Sequence, residues 1–411
     1  MKKLPPTATL LLELLGDKAD IEPAAVTALS PADWEHIGRM VHQQRLGPLL
    51  HWQLTQTRPT LPIPAEVKAA WTAAFDRSSL RVLQVSRDLK LIHRALDSAG
   101  IPYQALKGAF LALHAYPHSA LRPVRDIDIL VPRDRILQAF DVLIAGGFPR
   151  HPKYPGSPEA ALKTHKHLPP LGNAAGNVFV ELHVRLSHPG TVDFDITAQP
   201  DFWSRTVRLG MAGDELAFTS PTDTLLHLIV HAAHDHSFNN GPLILADIAF
   251  LLRSQPIDWP LFWRLAESWG HSRAAALTLT LTRRYWKLDD IDWPSLLEPT
   301  PVPEPMQISA LGLMLEQPEM AFLLKFRHEL AVQGNPVKAV WKLIRRFFPE
   351  PARIAMHYPV REDSPLIGYY YLRYACSRLV NRLPGVLNQA RRQDKHDVTP
   401  DLGQLKQWLR G

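Results

Sequence analysis

One cysteine in 411 residues, Cys376, leaves no partner for an intrachain disulfide and no thiolate cluster for zinc. Such a chain suits a reducing compartment, and the cytoplasm is the expected location. No run of apolar residues approaches the ~20 that a spanning helix needs, so no membrane span is expected. The opening MKKLPPTATLLLELL sets lysines before leucines, but Pro5, Pro6 and Glu13 interrupt the pattern, which argues against a signal peptide. No repeat of fixed period and no low-complexity tract is present. The charge excess is small, +6, which is compatible with a nucleotide or another polyanion but decides nothing alone. Proline is the exception to this list of scarcities. Its 37 residues exceed the usual share of about 5% and fall mostly between periodic segments, as punctuation of a globular chain.

Helical periodicity runs from Pro31 to about Ser98, with Ser30 and Asp33 resembling a capped start and Gly100 a stop. The period then changes. IPYQAL reads as a short strand, KGAFLALHAY as a helix and DIDILV as a strand. A helix follows from Pro132 to the glycines at 146 and 147, and HKHLPPL and NVFVELHVRL flank a turn near Gly172 to Asn177. A β-α-β-α-β-β segment is therefore expected between about Gly100 and Leu209. Beyond Ser220 or Thr222, either of which can cap SPTDTLLHLIVHAAHDH, the chain reads as helical, with GYYYLRYACSRL as core or groove wall. The expected organisation is a helical region over 1–98, an α/β (α+β) core over 99–215 and a helical domain over 216–411.

Two carboxylates in one apolar strand require a reason. Alternation puts Asp126 and Asp128 on one face and Ile127, Ile129 and Val131 on the other. Neighbouring carboxylates repel and raise each other's pKa unless a cation lies between them, and oxygen donors at this spacing suit Mg²⁺ or Mn²⁺. In VFVELHVRL the same alternation places Glu181, His183 and Arg185 opposite Val180, Leu182 and Val184. Glu181 is thus available as a third carboxylate if the two strands are neighbours, and such a set suits metal-assisted phosphoryl or nucleotidyl transfer. Lys107 and Gly108 stand where a strand gives way to a helix, a natural phosphate cradle. Arg122 and Arg125 stand in the loop before the aspartates, where they can clamp phosphate oxygens or, for Arg125, form a surface ion pair.

Leu106-Lys107-Gly108, then Tyr116, Arg122 and Asp126-Ile127-Asp128-Ile129-Leu130-Val131, followed by Glu181-Leu182-His183, resembles a bacterial branch of the polymerase β-like nucleotidyltransferase superfamily. His231 and Asp247 resemble a His and an Asp of that branch downstream of the core. The resemblance implies a small mixed-sheet catalytic core flanked by helical domains. It further implies Mg²⁺- or Mn²⁺-dependent transfer of a nucleoside monophosphate from an NTP, with ATP as first choice, and release of pyrophosphate. Asp126, Asp128 and Glu181 would hold the metal and carry the catalysis; Lys107, Gly108, Arg122, His183 and His231 would bind the nucleotide. One position departs from the wider superfamily, which more often has Gly-Ser where this chain has Gly108-Ala109. The acceptor stays open among a small molecule, a peptide, a protein and an RNA end, with RNA disfavoured because no RNA-binding motif is present. A catalytically inactive nucleotide-binding scaffold and an RNA-directed transferase are the alternatives.

Two further clusters stand out. His227, His231, His234 and Asp235 share one helical face and can line the site, hold a metal or be ordinary core and surface residues, but the glutamate of a zinc hydrolase motif is missing. Asp247, a lone acid in an apolar helix, is either catalytic or held by a buried partner such as one of those histidines. Lys338, Lys342, Arg345 and Arg346 alternate with Trp341, Ile344, Phe347 and Phe348, a pattern of an amphipathic helix with a basic face.

Overall fold

A computed structural model describes residues 3–173, 175–187, 195–199, 201–211, 213–289, 301–316, 344–345, 348–390 and 401–411. Five helices come first: α1 (Pro6–Leu15), α2 (Pro23–Thr27), α3 (Pro31–Gln44), α4 (Gly47–Trp52) and the long α5 (Ala65–Ser98). The start of α3 is fixed by a reciprocal pair: the Asp33 backbone N–H donates to the Ser30 hydroxyl, and the Ser30 N–H donates to the Asp33 carboxylate. Past α5 the chain turns at Gly100, whose φ of 61° is the left-handed conformation that glycine adopts without strain.

The sheet and its helices follow as β1 (Gln104–Ala105), α6 (Lys107–His114), β2 (Asp126–Leu130), α7 (Ile136–Ala145), α8 (Pro158–Thr164), β3 (Leu171–Gly172), β4 (Phe179–His183), β5 (Val207–Met211) and β6 (Asp214–Phe218). Spatial order is β3-β4-β2-β1-β6-β5. The pairing is mixed, with β2/β4 and β1/β6 parallel and the other neighbours antiparallel. Helices α5, α6 and α7 pack on the strands. The remaining described helices are α9 (Pro221–Val230), α10 (Leu243–Ser254), α11 (Trp259–Ser268), α12 (Ser272–Tyr285), α13 (Glu304–Leu315), α14 (Pro351–His357), α15 (Ile367–Ala390) and α16 (Leu402–Arg410). One connected set of buried apolar residues reaches from Leu10 in α1 to Leu409 in α16. The expected α/β core with a small mixed sheet and helical flanks is what the chain forms.

Local chemistry explains where the elements differ from expectation. Helix α7 begins at Ile136 rather than Pro132, because Pro132 to Arg135 closes a tight turn in which the Arg135 N–H donates to the Pro132 carbonyl at 2.9 Å. HKHLPPL does not form a continuous strand. It pairs through a single His167↔His183 bridge and resumes only at Leu171, because Pro169 and Pro170 offer no N–H to a ladder. The β5–β6 hairpin, turning at Gly213 with φ 91°, was not anticipated. Two outer-facing residues of α15, Tyr369 and Leu372, are exposed, whereas Tyr374 is buried, so that segment is only partly a core wall. Of the basic and aromatic residues near 336–348, Lys338, Lys342, Arg346, Trp341 and Phe347 lie outside the described residues; Ile344, Arg345 and Phe348 are exposed.

No described helix is long and apolar enough to cross a membrane.

Candidate active site

Parallel pairing of β2 with β4 sets Asp128 opposite Glu181 and Leu130 opposite His183. Because side chains alternate, Asp126, Asp128, Glu181 and His183 emerge on one face, while Ile127, Ile129, Val180 and Leu182 are buried on the other. His183 Nε2 reaches back to Asp128 Oδ1 at 3.0 Å and lies 3.5 Å from Glu181 Oε2. His167, from the bridge beside β4, approaches the same Glu181 oxygen at 3.5 Å.

Lys107 opens α6 at the end of β1. Its Nζ lies 3.7 Å from Asp128 Oδ2 and 3.4 Å from His231 Nε2. The first turn of α6, which Lys107 opens, has no side-chain cap to take up its N–H groups. At Gly108 a Cβ would come within 3.3 Å of Arg122 Nη1, which places that guanidinium against the same turn. Helix α9 continues into a π-helical turn, His231–Asp235, that carries the opposite wall. There Asp235 Oδ2 takes Lys166 Nζ at 3.3 Å and His231 Nδ1 at 3.2 Å. His227 is buried, and neither of its ring nitrogens has a hydrogen-bond partner among the described residues.

The electrostatics separate the three carboxylates. Burial pushes Asp126 up to about 6, with Asp128 and Glu181 adding repulsion that Lys107 and Arg125 only partly offset. Burial would raise Asp128 as well, but Lys107 and His183 outweigh it and hold that carboxyl well below its ordinary range. Glu181 is also held down, because the hydrogen bond from His183 and the charge of His167 outweigh its burial. His183 is correspondingly raised: its burial opposes the proton, and Asp128 and Glu181 overcome it. His227 and His231 are held uncharged, first by burial and then by Lys107. Lys166 is lowered by burial and by Lys107.

Sequence reasoning and geometry agree on which residues meet, with differences of detail. Asp128, Glu181 and His183 offer donor atoms that all lie within 4.8 Å of one another. His183, expected beside the nucleotide, therefore stands among the oxygen donors, and Asp126 shares the face without belonging to that closest set. Two carboxylates with an imidazole suit a divalent cation. Arg122 does lie at the α6 turn, but two of its nitrogens are taken: Nε donates to Asp247 Oδ1 at 2.9 Å and Nη2 to Oδ2 at 3.0 Å. Tyr116 donates to Asp247 Oδ1 at 2.7 Å. The buried partner of Asp247 is thus this Arg-Tyr pair and not a histidine.

Lys166 and His167 escaped sequence reasoning. Their signal was a His-Lys-His alternation, hidden by the prolines that follow. Arg81 of α5 was also missed; it donates to the carbonyls of Val124, Arg125 and Asn177 and so fixes the loop entering β2. Nothing local in a 34-residue helix marks that arginine out.

No curated protein and no solved structure matches the chain. A family model described as uncharacterised nucleotidyltransferase matches residues 30–287, which span the sheet, the carboxylate face and the histidine wall. A match over more than half of the chain, enclosing every residue of this cleft, establishes that the protein belongs to that nucleotidyltransferase family and is a transferase.

Proposed function

We propose that the protein is a divalent-metal-dependent nucleotidyltransferase that moves a nucleoside monophosphate, AMP from ATP in the first instance, to a hydroxyl or phosphate of a small molecule, peptide or protein. The observation that carries this reading is the register of β2 and β4, which sets Asp128 beside Glu181 on the face shared with Asp126 and within 3.7 Å of Lys107. Asp126, Asp128 and Glu181 are assigned as ligands of Mg²⁺ or Mn²⁺. When bound, the cation supplies charge stabilisation at the phosphate oxygens.

The chain's own groups supply the rest. Lys107 and the uncapped N–H groups of α6 hold the phosphates that are not transferred, and Gly108 lets them approach the backbone. Arg122 closes that end of the site. The uncharged His231 lines the nucleotide from beside Lys107, and His183 steadies Asp128 and Glu181 instead of meeting the nucleotide first. An acceptor oxygen attacks the α-phosphorus while the bond from that phosphorus to the bridging oxygen breaks. Pyrophosphate leaves with the electron pair, and the acceptor's proton passes to a carboxylate. Glu181, whose side chain is 21% exposed against 6% for Asp128, is assigned as the proton acceptor, being more open to an incoming hydroxyl than Asp128. In this reading residues 99–215 form the catalytic segment between the helical regions 1–98 and 216–411, and the reaction takes place in the cytoplasm.

The test is incubation with NTPs labelled at the α or γ phosphate, Mg²⁺ or Mn²⁺ and a cell extract. Transfer of α label to an acceptor, with pyrophosphate released and γ label left behind, is the expected result. Movement of γ label, or NTP binding with no pyrophosphate from any extract, would refute the reading.

A further inference from the structure

The buried cluster of Arg122, Asp247 and Tyr116 does more than neutralise a charge. Arg122 is 14% and Asp247 5% exposed, and the carboxylate grips the guanidinium along its Nε–Nη2 edge. Tyr116, itself buried, adds a third hydrogen bond to Oδ1, which fixes the plane of the carboxylate. Every bond to Asp247 therefore constrains the guanidinium from one side. Nη1, on the far side, is directed to the first turn of α6, against Gly108. A β-carbon at that residue would close on Nη1 to 3.3 Å, so glycine is also what keeps this approach open. An arginine whose planar fork is already gripped has little rotamer freedom left to lose when an anion arrives.

We infer that Asp247 and Tyr116 are positioning residues that aim the Nη1 edge of Arg122 at the triphosphate beside Lys107 and the α6 N-terminus. The inference rests on the nucleotide site proposed above, and assigns to α10 a function in that site although none of its side chains need touch the substrate. The three residues act as a unit: Tyr116 holds Asp247, Asp247 holds Arg122, and Arg122 presents a charged donor to the phosphates that AMP lacks.

Isothermal titration of the full chain with α,β-methylene-ATP and with AMP, in the presence of Mg²⁺, separates positioning from a merely structural role. The wild type is expected to prefer the triphosphate. Asp247→Asn keeps the shape of the side chain but loosens the grip, and is expected to cut that preference about tenfold while leaving AMP affinity in place. Arg122→Lys should remove the same preference, and combining the two should cost little more than either alone. An unchanged preference in a folded Asp247→Asn protein, or equal losses for both ligands, would overturn the inference while leaving the nucleotide site standing. A wild type with no triphosphate preference would sink the phosphate site itself and this inference with it. Should Asp247→Asn fail to fold, Tyr116→Phe decides the matter: it keeps the ion pair, and is expected to lower the same preference by about two- to threefold. An unchanged preference in that variant would refute the positioning role.

Discussion

Replacing Asp126 with asparagine should stabilise the metal-free protein while removing one of the proposed metal ligands. Burial, with the charges of Asp128 and Glu181, raises this carboxyl from its ordinary 3.8 to about 6. At about 1.4 kcal/mol per pH unit, the ionised form at pH 7 costs the fold about 3 kcal/mol. The sign follows from proton counting. Between pH 4 and 6 the folded state binds more protons at this site than the unfolded chain, so stability from this group falls as pH rises through that window and stays low above it. Asp126→Asn should therefore gain about 3 kcal/mol over wild type at pH 7 and only about half a kcal/mol at pH 4. Urea unfolding in EDTA, followed by tryptophan fluorescence at the two pH values, measures both differences. Adding Mg²⁺ or Mn²⁺ should then narrow or reverse the order, because a ligand that binds only the folded wild type stabilises it by mass action. A variant less stable than wild type at pH 7 without metal, or one with the same gain at both pH values, would refute the electrostatic reasoning.

Asp128→Asn, two residues away on the same face, should act with the opposite sign. Asp128 balances Lys107 and His183 in a buried cluster, so its loss should destabilise the metal-free fold by about 3 kcal/mol, as for a broken buried ion pair, and abolish transfer of α label. A stability gain in the same urea assay would contradict the pairing. Gly156→Ala tests the docking of α14 onto α8: a β-carbon there would fall 1.8 Å from the Met356 carbonyl oxygen, next to the Ser157 N–H bond to the Ala355 carbonyl. Backbone must shift, so limited proteolysis should cut near α14 faster than in wild type; an unchanged cleavage pattern would show the contact to be dispensable.

How far the sequence could be read depended on the range of the interaction. Alternation along DIDIL and FVELH needs only the two-residue repeat of a strand, and it assigned Asp126, Asp128, Glu181 and His183 to one face correctly. Capping at Ser30 and Ser220 was equally local. The step from two faces to one site required β2 and β4 to be neighbours in parallel, which the residues alone left conditional. The Arg122–Asp247 pair joins positions 125 residues apart, and a lone acid in an apolar helix announces a partner without naming it. The β5–β6 hairpin was missed for a different reason. Strand β5 is half-exposed along its whole length, Val207 to Met211, and so lacks the buried apolar alternation that marks β2 and β4.

The same contrast of range explains how the chain tolerates so many charges on one sheet face. Two of the three carboxylates are neutralised by partners that the fold brings from elsewhere: Lys107 from the end of β1 and His183 from the neighbouring strand, whose Nε2 lies near both Asp128 and Glu181. Those pairs form whenever the sheet forms, so Asp128 and Glu181 stay ionised without any added ion. At Asp126 burial, with the charges of Asp128 and Glu181, outweighs Lys107 and Arg125 and keeps that carboxyl raised. The opposite wall is prepared in the complementary sense, since His227 and His231 are kept neutral by burial and by Lys107 and add no cations to compete with one at the carboxylates. If the proposed cation binds here, it meets one carboxylate raised by its surroundings and two already held ionised, across from histidines that carry no charge.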